Sequence, residues 1–264
     1  MRQAWNPVGA AIFATALLAL VSSLCLAPPR EPERPKLPRV TSRPAAERDA
    51  VLKKIEQRAK DVKSVAADFL QDIHRPVFDE RDTRTGSLKM LKPQYFRVDW
   101  QTPEPEGIVY DGEFFWEIKN GVKQVIQWTV SKKEPADKDK DEQAPGQGKP
   151  RLDFGPFRFL GGVKADELKT DYLIALIDTP KDDKTHRLLL VPLKPEERVD
   201  FTRLDVWIDR KELLPVKIRF TRPNKEVETW TLKALKVNKD VTKEAFRVRV
   251  PRGWKLIKDP AGAP

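Results

Sequence analysis

The sequence predicts a mainly β protein of the α+β class, an antiparallel, barrel-like sheet of about eleven strands. Three observations predict it. Apolar and polar residues alternate through most of the chain after the first sixty or so residues, turn dipeptides punctuate the alternation, and helical spacing is sustained once, over residues 46–62.

The N-terminus reads as an address. Arg2 is the only charge before Arg30, and residues 8–27 form an unbroken apolar run. That pattern suits a secretory signal with a short basic start. Cleavage after Ser23, retention as a membrane anchor and lipidation at Cys25 are the three alternatives, and all place the body outside the cytoplasm. Leu24, just before Cys25, is larger than a lipidation signal prefers. Residues 28–45 hold six prolines among charges and read as a stiff spacer.

Residues 46–62 follow. Val51, Leu52, Ile55, Ala59 and Val62 share one helical face, with Lys, Glu and Arg opposite. The period then drops to two. Val65, Ala67 and Phe69 begin a first strand, and "TGSLKML" and "QYFRVDW" supply two more around Lys92-Pro93, since proline belongs at a turn. Asp111-Gly112 and Asn120-Gly121 separate "GIVY", "EFFWEIK" and "VKQVIQW", and both dipeptides suit type I′ hairpin turns. A six-strand meander ends by residue 130. Residues 131–150 lack any apolar period and read as a charged insertion. Asp137, Asp139 and Asp141 resemble a calcium loop, but Glu142 replaces its glycine and Gly148 its closing glutamate, so no metal is expected.

The second half opens with "LDFGPFRFLGG", then "KADELKTD" as one or two helical turns. Strands are predicted at 171–179, 185–193, 201–209, 213–222 and 226–236, a short helix near Asp240–Phe246, and a last strand over Phe246–Val250. The folded domain spans 46–258, with a tail at 259–264.

Composition narrows function. The formal net charge is +10, but 40 acidic residues are interspersed with 50 basic ones, so no nucleic-acid partner is expected. Cys25 is the only cysteine and His74 and His186 the only histidines, which removes disulfides, thiol catalysis and a histidine metal site. Serine-hydrolase, zinc-protease and P-loop motifs are absent, and Glu104 and Glu106 lie in a Pro-rich turn without an apolar setting. No catalytic residue, cofactor or enzymatic activity is expected. What stands out is large apolar residues on strands: Phe69, Phe96, Trp100, Phe114, Phe115, Trp116, Trp128, Trp207, Phe220 and Trp230. Either they fill a core, or a large sheet with few helices leaves an apolar hollow.

"VAADFLQ", "TGSLKMLKPQYFRVDW" and "PEPEGIVYDGEFFWEI", in that order, resemble the LolA-type periplasmic carriers of outer-membrane lipoproteins. The likeness rests on Phe69-Leu70-Gln71, Gly86 and Leu88, Lys92-Pro93, Phe96 to Trp100, Val109 to Gly112 and Trp116, and on the tail "VTKEAFRVRVPRGWKLI". The resemblance implies an unclosed antiparallel β-barrel with a helical lid enclosing an apolar cavity. It also implies a monomeric periplasmic carrier that shields acyl chains of lipoproteins or other lipids between an inner-membrane donor and an outer-membrane acceptor. The acyl-lining candidates are Phe69, Leu88, Phe96, Trp100, Phe114 and Trp116. Family members often carry Arg before the turn proline, holding the lid; here Lys92 stands there, a point charge without a bidentate fork, with Arg97 the alternative. Helix 46–62 and segment 153–163 are the lid candidates. An envelope sensor or interaction module on the same fold is the rival reading.

Overall fold

The computed structural model describes residues 35–130, 158–162, 164–180 and 183–260. The apolar run and Cys25, residues 28–34 of the spacer, the 131–150 segment and residues 153–157 lie outside them.

Twelve strands form one sheet. The first meander holds β1 (Ser64–Arg75), β2 (Glu80–Leu91), β3 (Tyr95–Thr102), β4 (Glu106–Tyr110), β5 (Phe114–Lys119) and β6 (Gln124–Thr129). The second holds β7 (Tyr172–Ile177), β8 (Thr185–Pro192), β9 (Arg203–Asp209), β10 (Pro215–Thr221) and β11 (Val227–Val237), and β12 (Lys255–Lys258) closes the list. The order across the sheet is β12-β6-β5-β4-β3-β2-β1-β11-β10-β9-β8-β7. Each meander follows the chain, and antiparallel pairing of β1 with β11 welds the two together. The ends, β12 and β7, do not pair, so the barrel is unclosed.

Period-two alternation decides which face is buried. In β1 Val65, Ala67, Phe69 and Gln71 are buried, in β2 Leu88 and Met90, in β3 Phe96 and Val98. The same face carries Leu188 and Leu190 of β8, Leu204, Val206 and Ile208 of β9, Ile218 and Phe220 of β10, and Trp230 and Leu232 of β11. On this inner face lies α1 (Ala45–Asp61), with Val51, Leu52, Ile55 and Ala59 turned inward, and beside it α2 (Arg158–Gly161) and α3 (Ala165–Asp171), which add Phe159, Leu160, Ala165 and Leu168. Gly162 follows α2 at φ +103°, and a side chain there would press on Ala59 of α1.

Three expectations change. The strand predicted at Phe246–Val250 does not form. Phe246 ends a short 3₁₀ turn (Lys243–Phe246), fully buried, with its ring 5.4 Å from that of Tyr95. The last strand is instead β12, and it pairs parallel to β6 at the sheet edge, the one parallel pair among the described residues. Nor are the hairpin turns type I′, which would need two consecutive positive φ angles. After β4 only Gly112 is left-handed (φ +97°), while the Asp111 carboxylate accepts from the Glu113 and Phe114 amides at 2.9 and 2.8 Å. After β5 the Lys123 amide closes a turn onto the Asn120 carbonyl, and Lys123, not Gly121, takes positive φ. Finally, the spacer does not run free to its end. Arg43 donates its amide to Leu176 O at 2.8 Å and Asp178 donates to Thr41 O at 3.1 Å, so residues 41–43 cover the edge of β7.

Candidate functional site

The inner face and its helical cover form the candidate site. Phe69, Leu88 and Phe96 are 3%, 1% and 4% exposed at its floor. Trp100 is half-buried at the rim, its ring 6.2 Å from Phe69 and 6.0 Å from Trp230, with the Arg84 guanidinium 4.9 Å above it. Phe69 also packs on Trp230 at 4.6 Å. Phe114 and Trp116 lie elsewhere. Trp116 pairs with Val109, which pairs with Arg97, whereas Phe96 pairs with Tyr110 and that with Phe115. Alternation therefore puts Phe114, Trp116 and Arg97 on the outer face and Phe115 on the inner one. Trp116 Nε1 donates to the Asp111 carboxylate at 2.7 Å, and the rings of Phe114 and Trp116 meet edge to face at 6.0 Å.

The two gating candidates also part. Lys92 Nζ donates to the Ala59 carbonyl in the last turn of α1. The same carbonyl also accepts the Val62 amide at 3.3 Å, and a cation at that end opposes the negative end of the helix dipole. Burial pushes the Lys92 ammonium below its ordinary value. Arg97 instead donates to Asp99 at 2.7 Å and to Ala245 O at 3.2 Å, on the outer face.

Around α1 the polar ties are few and peripheral. Arg48 reaches Ile174 O at 3.2 Å, Arg58 reaches Glu212 O at 3.1 Å, and the Ala165 amide donates to Glu56 at 3.3 Å. Beyond α1 the chain turns on Asn238, whose amide donates to Asp61 O and whose carbonyl accepts from Lys63 and Ser64. Apolar contact seats the helix, and Lys92 at its C-terminal end and the Lys169–Asp49 ion pair (3.3 Å) add polar ties.

Sequence reasoning missed a polar network at the rim. Trp100 Nε1 donates to Gln71 Oε1 at 2.7 Å, and Gln71 Nε2 donates to Glu228 Oε1 at 2.6 Å. Trp230 Nε1 donates to the same Oε1 at 2.7 Å and Arg222 to Oε2 at 3.0 Å. Gln71 and Glu228 are buried, so the network fixes two indoles by giving each Nε1 a buried acceptor. The two-residue spacing of Glu228 and Trp230 was the available signal. Gly86 was visible as a motif, but its reason was not: a Cβ there would strike the Asp99 carbonyl and the Phe69 ring.

Among the described residues no group of three or more His, Cys, Asp or Glu side chains is placed to hold a metal, and no helix is long and apolar enough to cross a membrane.

An outer-membrane lipoprotein carrier protein of Pasteurella multocida is 32% identical over 71 residues, 27% of this chain and 35% of the relative, so the chain spans about a third of that protein's length. A LolA superfamily protein of Nitrosomonas europaea superposes with a TM-score of 0.36 at 14% identity, over 75% of this chain and 97% of that one. An uncharacterised conserved protein of Thermus thermophilus gives 0.48 at 11% identity, over 80% and 99%. The family described as outer membrane lipoprotein carrier protein LolA matches residues 60–249, from the end of α1 through all of β1–β11, and the chain belongs to that family as a divergent member.

Proposed function

We propose that this protein is a periplasmic carrier that binds the acyl chains of lipoproteins, or of other lipids, on the inner face of its sheet. The observation that carries the reading is the family match combined with a helix seated mainly by apolar contact over the aromatic floor of that sheet. Phe69, Leu88, Phe96 and Trp100 form the floor an acyl chain would touch. The interior is packed while α1 lies on it, so entry requires α1 to lift.

Magnitudes allow that exchange. Exposing Val51, Leu52 and Ile55 costs about 1.5–3 kcal/mol each, or roughly 5–9 kcal/mol for the three. An acyl chain of about fourteen methylenes, at roughly 0.8 kcal/mol each, offers about 11 kcal/mol. The two terms are close enough for loading and release to be reversible, and a partner that reseats α1 would expel the cargo. Binding without chemical change suffices. The apolar run over residues 8–27 supports export, and donor and acceptor proteins at the two membranes are the partners this role requires.

Native mass spectrometry of the protein purified from its own envelope tests the proposal. A bound lipid or lipoprotein is the expected result. Protein that is free of both, and that does not take up an acyl probe afterwards, would replace the carrier with an envelope sensor or interaction module on the same fold.

A further inference from the structure

The outer face of the sheet carries a second feature that acyl binding does not use. Across β2, β1, β11 and β10 runs a groove of about 680 Å³, lined by Asp72, Arg81, Lys217, Arg219, Thr229 and Thr231 among others. A second hollow of about 410 Å³ continues it over β9, sharing Lys217 and Thr231 and adding Asp183, Thr185, Trp207, Val216 and Leu232.

Three cations converge on the indole of Trp207: Lys217 Nζ at 4.3 Å, Arg187 at 4.9 Å and Arg219 at 5.2 Å from the ring centre. Only one of them is neutralised by direct contact. Arg187 donates to Asp205 at 2.8 Å, and both oxygens of that buried carboxylate are also taken by Arg203. The side chains of Lys217 and Arg219 make no hydrogen bond or ion pair, although Arg219 stands in register with Asp205, and Arg219 Nε is buried without an acceptor, the only such side-chain nitrogen or oxygen among the described residues. Burial, Arg219 and Arg187 together push the Lys217 ammonium below its ordinary value, with Asp183, which lines the second hollow, opposing. Like charges held beside one another, with donors unanswered, cost free energy in the empty fold. An anion between them removes that cost.

Register explains how the sequence builds this. Lys217 and Arg219 stand two apart on β10, facing outward because Ile218 faces the core; Trp207 is opposite Lys217, and Thr231 and Thr229 flank the pair on β11. A guanidinium fork, a point-charge ammonium and two hydroxyls suit a tetrahedral anion with several oxygens better than a planar carboxylate. The hollow beside Trp207, Val216 and Leu232 has room for an organic substituent on that anion.

We propose that this outer groove is a binding site for a phosphate ester, its phosphate held by Lys217 and Arg219 with Thr229 and Thr231 beside them, and its organic part lying over Trp207. The phosphate could belong to a small soluble ester or to a phospholipid headgroup, and the probes separate these sources.

The test titrates the purified protein with inorganic phosphate, with glycerol 3-phosphate and with vesicles containing phosphatidylglycerol, at low ionic strength, while the Trp207 indole N–H is followed by NMR. A saturable shift at Trp207 with either soluble probe supports a soluble ester. A response to phosphatidylglycerol vesicles alone supports the headgroup. In both cases Lys217→Gln with Arg219→Gln should weaken binding at least about tenfold, without lowering the melting temperature, since the pair is charge-assisted only when the anion is present. Arg219→Lys, which keeps charge and loses the fork, should fall between. Silence at Trp207 with all three probes, a response only to an acidic peptide, or undiminished binding by the double variant would each overturn the site. No acyl chain enters the soluble arms, so failure here leaves the carrier reading standing, and the reverse also holds.

Discussion

Replacing Lys92 with methionine isolates the seating of α1. The substitution keeps most of the aliphatic stem but removes the one side-chain donor that reaches the Ala59 carbonyl. A hydrogen bond from a charged donor is worth about 1.5–3 kcal/mol when partly buried, and opposition to the helix dipole contributes within that sum. Lys92 is already below its ordinary pKa through burial, a desolvation cost that the variant recovers. The net loss is therefore about 1–2 kcal/mol, a factor of roughly 5–30 in the population of the lifted helix. Hydrogen exchange read by mass spectrometry gives that population directly. Amides of residues 45–61 should exchange faster by this factor, while those of β1, β8 and β9 keep their protection. Since the lifted state is the one that admits ligand, affinity for an acyl probe should rise by the same factor. Unchanged protection in α1, or equal acceleration in every strand, would refute the argument that Lys92 holds the helix.

Gly86→Ala should destabilise by about 1–3 kcal/mol or more in urea melts, because the added methyl overpacks against the Asp99 backbone and the Phe69 ring; an unchanged midpoint would mean the strand yields there. Glu228→Leu strands the Trp230 indole and the Gln71 amide, at about 1–3 kcal/mol for each buried donor, and should redshift tryptophan emission; a stabilised variant would contradict the network's role. His186 tests linkage. Burial first, then Arg210, Arg43 and Lys54, hold its pKa below 6.5 against the pull of Asp183. Between that lowered value and 6.5 the unfolded chain binds a proton that the fold refuses, so stability falls as pH falls through the window. Urea titrations from about pH 7.5 to about pH 5 should show a steeper loss in the parent than in His186→Gln; parallel curves would remove His186 from the account.

How far the sequence could be read depended on where the determining contacts lie. Period-two alternation named nearly every strand, and helical spacing placed α1 to within a residue at each end, because both signals are local. The tail failed for the opposite reason. "FRVRV" alternates as a strand does, yet every inner strand edge is already paired, and Phe246 gains more by burial against Tyr95. "KLIK", four residues with two lysines, forms a strand only because β6 offers it an edge. The turns at Asp111-Gly112 and Asn120-Gly121 were located correctly, but their geometry is set by the Asp111 carboxylate and by Lys123. Phe114-Phe115-Trp116 puts aromatics on both faces, so only cross-strand register could assign Phe115 inward and its neighbours outward. The same limit hid the Lys217 and Arg219 pair, which is ordinary in sequence and becomes distinctive beside Trp207.

Quenching by a brominated fatty acid tests the central claim most directly, because bromine reports only tryptophans within contact of the chain. Trp100 and Trp230 stand on the inner face at the rim of the apolar interior, and Trp128, in register with Phe115, shares that face nearer the sheet edge, while Trp116 and Trp207 lie on the outer face. The account predicts saturable quenching by the bromo-acyl chain that falls clearly in Trp100→Phe with Trp230→Phe, largely disappears when Trp128→Phe is added, and survives in Trp116→Phe. Absence of saturable quenching, or quenching lost with Trp116 and kept without Trp100 and Trp230, would contradict it.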